Sequence, residues 1–350
     1  MTIVFGILLF SLVIFLHELG HFVAAKLSGV QVNEFSMFMG PAIVKWQKGE
    51  TQYSIRCIPI GGFCAMEGED QDTDNPKSFQ KARWWKRLVI LVAGSSMNFI
   101  TGLLLLAITV APAEAITIPV IASAEEGCTV VSADGLHIGD RILQVDGENV
   151  YLSSDVSMLL SLKPGNTHDI VVERDGMEVY LDDFVMEKHQ FPNENKERFG
   201  FSYDVEKLTF SGKLKYTWNQ ARKVARLVRL SLQMLLTGEA GIQNMTGPVG
   251  IVQIMTETAQ SSPTRQDAML NMLYFGGFIA INLGIMNLLP IPALDGGRAV
   301  GLLLTTGIEV ITRKKINPKY EGYIHGAGMI FLLALMAIVM FNDITSIFRG

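Results

Sequence analysis

Charge is scarce in this chain. Of its 350 residues only 18 % are Asp, Glu, Lys or Arg, against about 25 % in an ordinary soluble domain. The shortfall is local, falling in four apolar stretches at residues 3–27, 88–111, 269–289 and 322–341. Each is close to the ~20 residues that a membrane-crossing helix needs. Cysteine is nearly absent. Cys57, Cys64 and Cys128 make neither a C-x-x-C pair nor an even framework, which excludes a disulfide scaffold and a cysteine-built zinc site. No Lys or Arg precedes the first apolar run, so it does not read as a cleavable signal peptide. Excess positive charge is also missing, and a net charge of −5 argues against a nucleic-acid partner.

What the first apolar stretch does contain is costly there: His17-Glu18-Leu19-Gly20-His21. A charged side chain at mid-membrane costs roughly 2.5–3.5 kcal/mol even on a lenient insertion scale, so something must compensate. Two histidines at i and i+4 lie on one face of a helix, about 6 Å apart. That spacing suits two imidazole nitrogens on one Zn²⁺, with the intervening Glu as general base. A chance match would more readily fall on a soluble surface helix, where His and Glu are common.

Charge also orients the chain. Nine Lys and Arg lie between the first two stretches, from Lys26 to Arg87, and five more, from Arg298 to Lys319, lie between the last two. The positive-inside rule places both loops in the cytoplasm, both termini outside, and the long segment 112–268 outside as well. The first and third spans then run inward together. At the inner end of the third span the chain reads Asn287-Leu-Leu-Pro290-Ile-Pro292-Ala-Leu294-Asp295-Gly296-Gly297. Two prolines two apart end a helix, and two glycines allow close backbone approach. Asp295 then shares the depth of His17 and His21. Two His and one carboxylate with a fourth position for water is the catalytic zinc pattern, while a helix-capping Asp is the plainer alternative.

These two motifs, H-E-x-x-H and N-x-x-P-x-P-x-L-D-G-G, resemble those of the site-2 protease family of intramembrane zinc metalloproteases, in its bacterial branch carrying an extracytoplasmic PDZ domain. The resemblance covers nearly the whole chain. It implies His17, His21 and Asp295 as zinc ligands, Glu18 as base and Asn287 near the scissile peptide. The family's A-G-P-x-x-N stands here as Ala93-Gly94-Ser95-Ser96-Met97-Asn98, with serine in place of the proline. An Asn in an apolar span also commonly bonds a neighbouring helix.

Residues 42–47 and 51–58 flank Lys48-Gly49-Glu50 and read as a β-hairpin, followed by Ile58-Pro59-Ile60-Gly61-Gly62-Phe63. In the family this region dips into the membrane and its edge takes substrate, which makes physical sense: a strand edge can replace the hydrogen bonds of an unwinding helix. Candidate substrate-binding residues are therefore Asn287, Pro290, Pro292, Asn98, Gly61, Gly62 and Phe63. Residues 136–150, with Gly139-Asp140, Val145 and Gly147, resemble a PDZ core. A helix fits 154–162, and strands fit 168–174 and 178–185 around Asp175-Gly176. His137, His168 and His189 are expected at the surface. Residues 213–236 are amphipathic and basic and suit a membrane surface. Gly247-Pro248-Val249-Gly250-Ile251 resembles a further family motif, and His325, a polar residue in the fourth span, is expected to pack at an interface, with a functional role as the alternative.

The fold expected is a polytopic α-helical membrane protein with four transmembrane helices, a membrane-associated β-hairpin region and an extracytoplasmic PDZ-like α+β domain. Its parts are residues 1–112 (first two spans and hairpin), 113–208 (PDZ-like), 209–268 (connecting helix region) and 269–350 (last two spans). The expected activity is that of a zinc endopeptidase in the bacterial plasma membrane, acting at the cytoplasmic side on single-span transmembrane proteins. The family suggests anti-sigma factors or remnant signal peptides as substrates, and a peptide on the PDZ-like domain as a further partner. A membrane-anchored gluzincin would take a distal Glu as third ligand; a zinc transporter would spread polar residues over several spans; an inactive scaffold would not need Glu18.

Overall fold

A computed structural model describes residues 2–69, 73–163, 165–191, 197–239, 248–313 and 319–349. Helix α1 (Thr2–Ser28) leads into strands β1 (Val32–Lys48) and β2 (Thr51–Met66), and helix α2 (Trp84–Val110) follows. Next come β3 (Ala115–Ala124), β4 (Arg141–Val145), β5 (Glu148–Asn149), α3 (Ser153–Leu162), β6 (Thr167–Arg174), β7 (Met177–Val185), β8 (His189–Gln190), β9 (Glu197–Arg198), β10 (Phe201–Lys207) and α4 (Phe210–Thr237). The described chain closes with α5 (Pro248–Gln260), α6 (Arg265–Asn287), α7 (Asp295–Thr312) and α8 (Lys319–Arg349). Two compact units result, residues 1–109 with 224–350, and residues 110–223.

Among the described residues, stretches of α1, α2, α6 and α8 are long and apolar enough to cross a membrane, and the protein is a multi-pass membrane protein. Lipid gives helices no hydrophobic reason to associate, so close packing must come from small residues. A Cβ on Gly20 would lie 2.6 Å from the Ala93 carbonyl oxygen, and one on Gly102 would lie 2.4 Å from Ile281 Cγ1 and 2.8 Å from the Gly277 carbonyl oxygen. Helices α1, α2 and α6 therefore meet backbone to backbone. At its start α6 is capped by Thr264, whose hydroxyl accepts from the Asp267 N–H.

The hairpin extends well beyond residues 42–58. Residues 34–37 of β1 lie against 62–65 of β2 on one side and against 52–55 on the other, while 44–48 pair with 51–55. Two long strands thus build four sheet segments, in the order 42–48, 51–56, 32–37, 62–66. The bends fall at Phe38, Gly40 and Gly61, all with positive φ. The hairpin expected over 42–47 and 51–58 stops short of these bends, whereas each strand turns there and continues. Val32, Phe35, Cys64 and Met66 pack in one core with Ala25 of α1, Ile90 and Leu91 of α2, and Ala299 and Leu302 of α7. Helix α7, unanticipated from sequence, buries that face and leaves Val300, Leu303, Leu304, Ile308 and Ile311 exposed.

In the second unit, antiparallel strands run β10-β3-β4-β6-β7, with β5 paired to β4. Asp175 and Gly176 both have positive φ and close the β6–β7 hairpin, as an Asp-Gly turn does. Asp140 is 1 % exposed. It accepts from Arg174 Nε at 2.8 Å and Nη2 at 2.7 Å, and from the His137 N–H at 2.8 Å. His168 corrects the surface expectation: it is buried and sits 2.7 Å from Asp146, because β6 points it inward. Burial pushes the Asp140 carboxyl up, but the hydrogen bonds from Arg174 and His137 outweigh it and hold the group below its ordinary range. That contribution is complete above an unfolded pKa of about 4 and is lost as pH falls through the lowered folded value. Arg174→Leu, which strands a buried carboxylate, should destabilise this unit by about 3 kcal/mol. Hydrogen exchange on the full chain in detergent checks this: amides of β4 and β6 should lose protection, while unchanged protection would refute it.

Candidate active site

His17 and His21 stand one turn apart on α1, both 7 % exposed, with their Nε2 atoms 3.1 Å apart. Asp295, the first residue of α7, brings Oδ2 to 3.1 Å from His17 Nε2 and 3.2 Å from His21 Nε2. The local backbone explains its position. Helix α6 ends at Asn287, a tight turn through Pro290 and Pro292 follows, and Leu294 caps α7. A Cβ on Gly296 would lie 2.2 Å from the Leu288 carbonyl oxygen, and one on Gly297 would lie 2.2 Å from the Ile291 carbonyl oxygen. Only glycine after Asp295 lets α7 start so close to the end of α6.

Each imidazole is oriented from behind by α2. His21 Nδ1 is 2.8 Å from the Ile90 carbonyl, which can only accept, so Nδ1 carries the proton and Nε2 presents its lone pair. His17 Nδ1 faces the Asn98 amide, with Nδ2 at 3.3 Å, while Asn98 Oδ1 is buried without a partner. Turning the amide by 180° lets Oδ1 accept the His17 Nδ1–H and satisfies both groups. Asn98 is fully buried, and its contact is with a histidine behind the site.

Three lone-pair atoms then converge within 3.2 Å of one another, and Asp295 Oδ2 receives no hydrogen bond. Such an arrangement is repulsive without a cation. Tetrahedral Zn²⁺ with bonds of about 2.0–2.1 Å separates its ligand atoms by about 3.3–3.4 Å, so these donors fit zinc with little movement. Among the described residues, His17, His21 and Asp295 are the one group of this kind.

The other candidates divide by position. Glu18 lies off the histidine face and beside the last β2 segment, where a Cβ on Gly62 would be 3.6 Å from Glu18 Cγ. Asn287 Nδ2 is 3.5 Å from His17 Nε2, at the edge of hydrogen-bond range. Gly61 packs near Met39, and the Phe63 ring stacks on the Arg56 guanidinium at 4.9 Å. Pro292 is pressed against Gly328 of α8. Pro290 lies in the turn ahead of it. A cavity of about 340 Å³ opens beside Ala293, lined in part by Glu69, Arg87, Arg298 and His325. Arg298 is ion-paired with Glu69 there. Sequence reasoning missed the contacts of Ile90 and His325, because a main-chain carbonyl and a lone histidine carry no motif.

A histidine pair buried on a membrane-spanning helix and met by a carboxylate at the start of α7 makes a metal-competent centre in a membrane protein. The profile of Peptidase family M50 matches residues 5–335, and the chain belongs to that family, the site-2 proteases. It is similar to a proposed zinc metalloprotease of Clostridium acetobutylicum, with 33 % identity over 344 residues covering 98 % of this chain and 97 % of that protein. It is also similar to zinc metalloprotease RasP of Bacillus licheniformis, 29 % identical over 433 residues with 99 % of each covered. The regulator of sigma-W protease RasP of Bacillus subtilis is 27 % identical over 435 residues, again with 99 % of each covered. The protein is a zinc metalloprotease.

Proposed function

We propose that this protein is an intramembrane endopeptidase that cuts single-span transmembrane proteins near the cytoplasmic face of a bacterial plasma membrane. The observation that carries the reading is the convergence of His17 and His21, both on the apolar helix α1, with Asp295 at the start of α7. In this reading those three side chains hold Zn²⁺, which supplies Lewis acidity to acidify water and polarise the scissile carbonyl. Glu18 accepts the proton of the attacking water and delivers it to the leaving amine. Asn98 and the Ile90 carbonyl keep the imidazoles in the tautomer that presents Nε2. Asn287 donates to the substrate carbonyl. The segment at 62–66, beside Glu18, offers backbone groups to a substrate that unwinds as it enters. Gly61, Gly62 and Phe63 line that edge, and Pro290 and Pro292 shape the opposite wall. Asp295 in the cluster favours this reading over a gluzincin, whose third ligand is a distal Glu, and polar groups gathered at one depth disfavour a transporter.

The substrate class follows from the same placement. A soluble peptide has no route to a site among apolar helices, whereas a transmembrane helix does. An anti-sigma factor with one span, or a remnant signal peptide, has the right form; the Bacillus subtilis relative is named for sigma-W regulation. The unit at 110–223 would serve as a PDZ-like outer domain that excludes bulky substrates or holds a peptide. Purified protein in lipid nanodiscs, given a single-span substrate, should produce cuts inside the span as mapped by mass spectrometry. Cuts confined to the substrate's soluble segments would overturn the reading.

Orientation is tested separately. In a background lacking Cys57, Cys64 and Cys128, a membrane-impermeant thiol probe applied to intact cells should label Met177→Cys and spare Lys48→Cys. Basic loops inside require that pattern, and the opposite one would invert the topology.

A further inference from the structure

Helix α8 grips the turn that carries Asp295. His325 Nδ1 accepts the Ala293 N–H at 3.0 Å. Ala293 has φ of +79°, a left-handed conformation that a residue with a Cβ keeps only when its neighbours hold it. Gly328, three residues on from His325 and so on the same face of α8, leaves no space: a Cβ there would lie 2.4 Å from Pro292 Cβ and 2.7 Å from the Pro292 carbonyl oxygen. Pro292 and Ala293 are thus held from one side by a hydrogen bond and by close contact. Asp295 follows two residues later, and its Oδ2 must meet two nitrogens at 3.1 and 3.2 Å.

We infer that His325 is a positioning residue: through its hydrogen bond to Ala293 it sets the Asp295 carboxylate onto the His17–His21 pair and so controls how tightly the metal is held. His325 acts on the site through the main chain of the turn, at the Ala293 N–H. The inference rests on the reading that His17, His21 and Asp295 hold zinc. A free Ala293 N–H would release the strained turn, and a carboxylate displaced by even 1 Å no longer completes a tetrahedral site.

The experiment measures zinc release from full-length protein in nanodiscs, using a colorimetric chelator in excess. His325→Leu keeps bulk and removes the acceptor; zinc release should accelerate at least tenfold and kcat fall, with KM for the transmembrane substrate little changed. His325→Asn places Oδ1 where Nδ1 stood and should restore release to near the original rate. Gly328→Ala leaves His325 intact but pushes Pro292 away, and should also speed release, which decides the matter if His325→Leu fails to fold. Release at the original rate in both His325→Leu and Gly328→Ala would overturn the inference. So would His325→Asn releasing zinc as fast as His325→Leu. Asp295→Ala separates this from failure of the underlying reading: if that variant keeps its zinc, Asp295 is no ligand and both fall. If it loses zinc while the His325 and Gly328 variants do not, the positioning role alone falls.

Discussion

Glu18→Gln should lower cleavage of a transmembrane substrate by about 10²–10⁴-fold, the usual contribution of a positioned general base, while bound zinc stays at the original level. The structure separates the two properties. His17, His21 and Asp295 form the metal-competent cluster without Glu18, and Glu18 lies instead beside the segment at Gly62. Gln matches Glu in size and hydrogen-bonding reach but cannot take up the proton from water. Metal content by atomic emission and a gel-based cleavage assay check the pair of outcomes on one preparation. Zinc lost together with activity would make Glu18 a ligand or a structural group and remove it from the chemistry.

Gly94→Ala should abolish zinc binding and cleavage together. A Cβ at this position would lie 2.3 Å from His21 Nε2 and 2.8 Å from His17 Cε1. Those contacts are at the metal-facing side of the rings, and neither ring can retreat: His21 is tied to Ile90 and His17 faces Asn98. Alanine is otherwise the better helix former by about 1 kcal/mol, so α2 itself should persist. Gly301→Ala is the matched control, since nothing lies within 4 Å of its added methyl; it should keep zinc and activity. Gly94→Ala with full zinc content would show that the rings leave more room than their hydrogen bonds imply.

Much of this was legible from residue order because its signals are local. Length and apolarity marked the four membrane helices, and Asp175-Gly176 marked the hairpin turn between β6 and β7. The hairpin at 32–66 was only half visible. Its first and last segments, 32–37 and 62–66, pair with each other across the whole loop, and Gly40 and Gly61 mask strands that bend without ending. Helix α7 was hidden by its own first turn, where Asp-Gly-Gly-Arg reads as a loop. For the site, the i, i+4 spacing identified the two histidines, and shared membrane depth pointed to Asp295. The orientation of the rings was not legible, since it depends on a backbone carbonyl at Ile90 and on the pairing of Asn98 across helices. His168 was misplaced because its inward direction depends on the register of β6, which composition does not reveal.

The metal-competent histidines and Asp295 lie far apart along the sequence. During synthesis, α1 enters the membrane with its two histidines long before the turn bearing Asp295 has been made. Until then the growing protein carries an incomplete site. A centre assembled this way can be completed only once α7 has been made, so a copy that stops short of Asp295 lacks the third side chain.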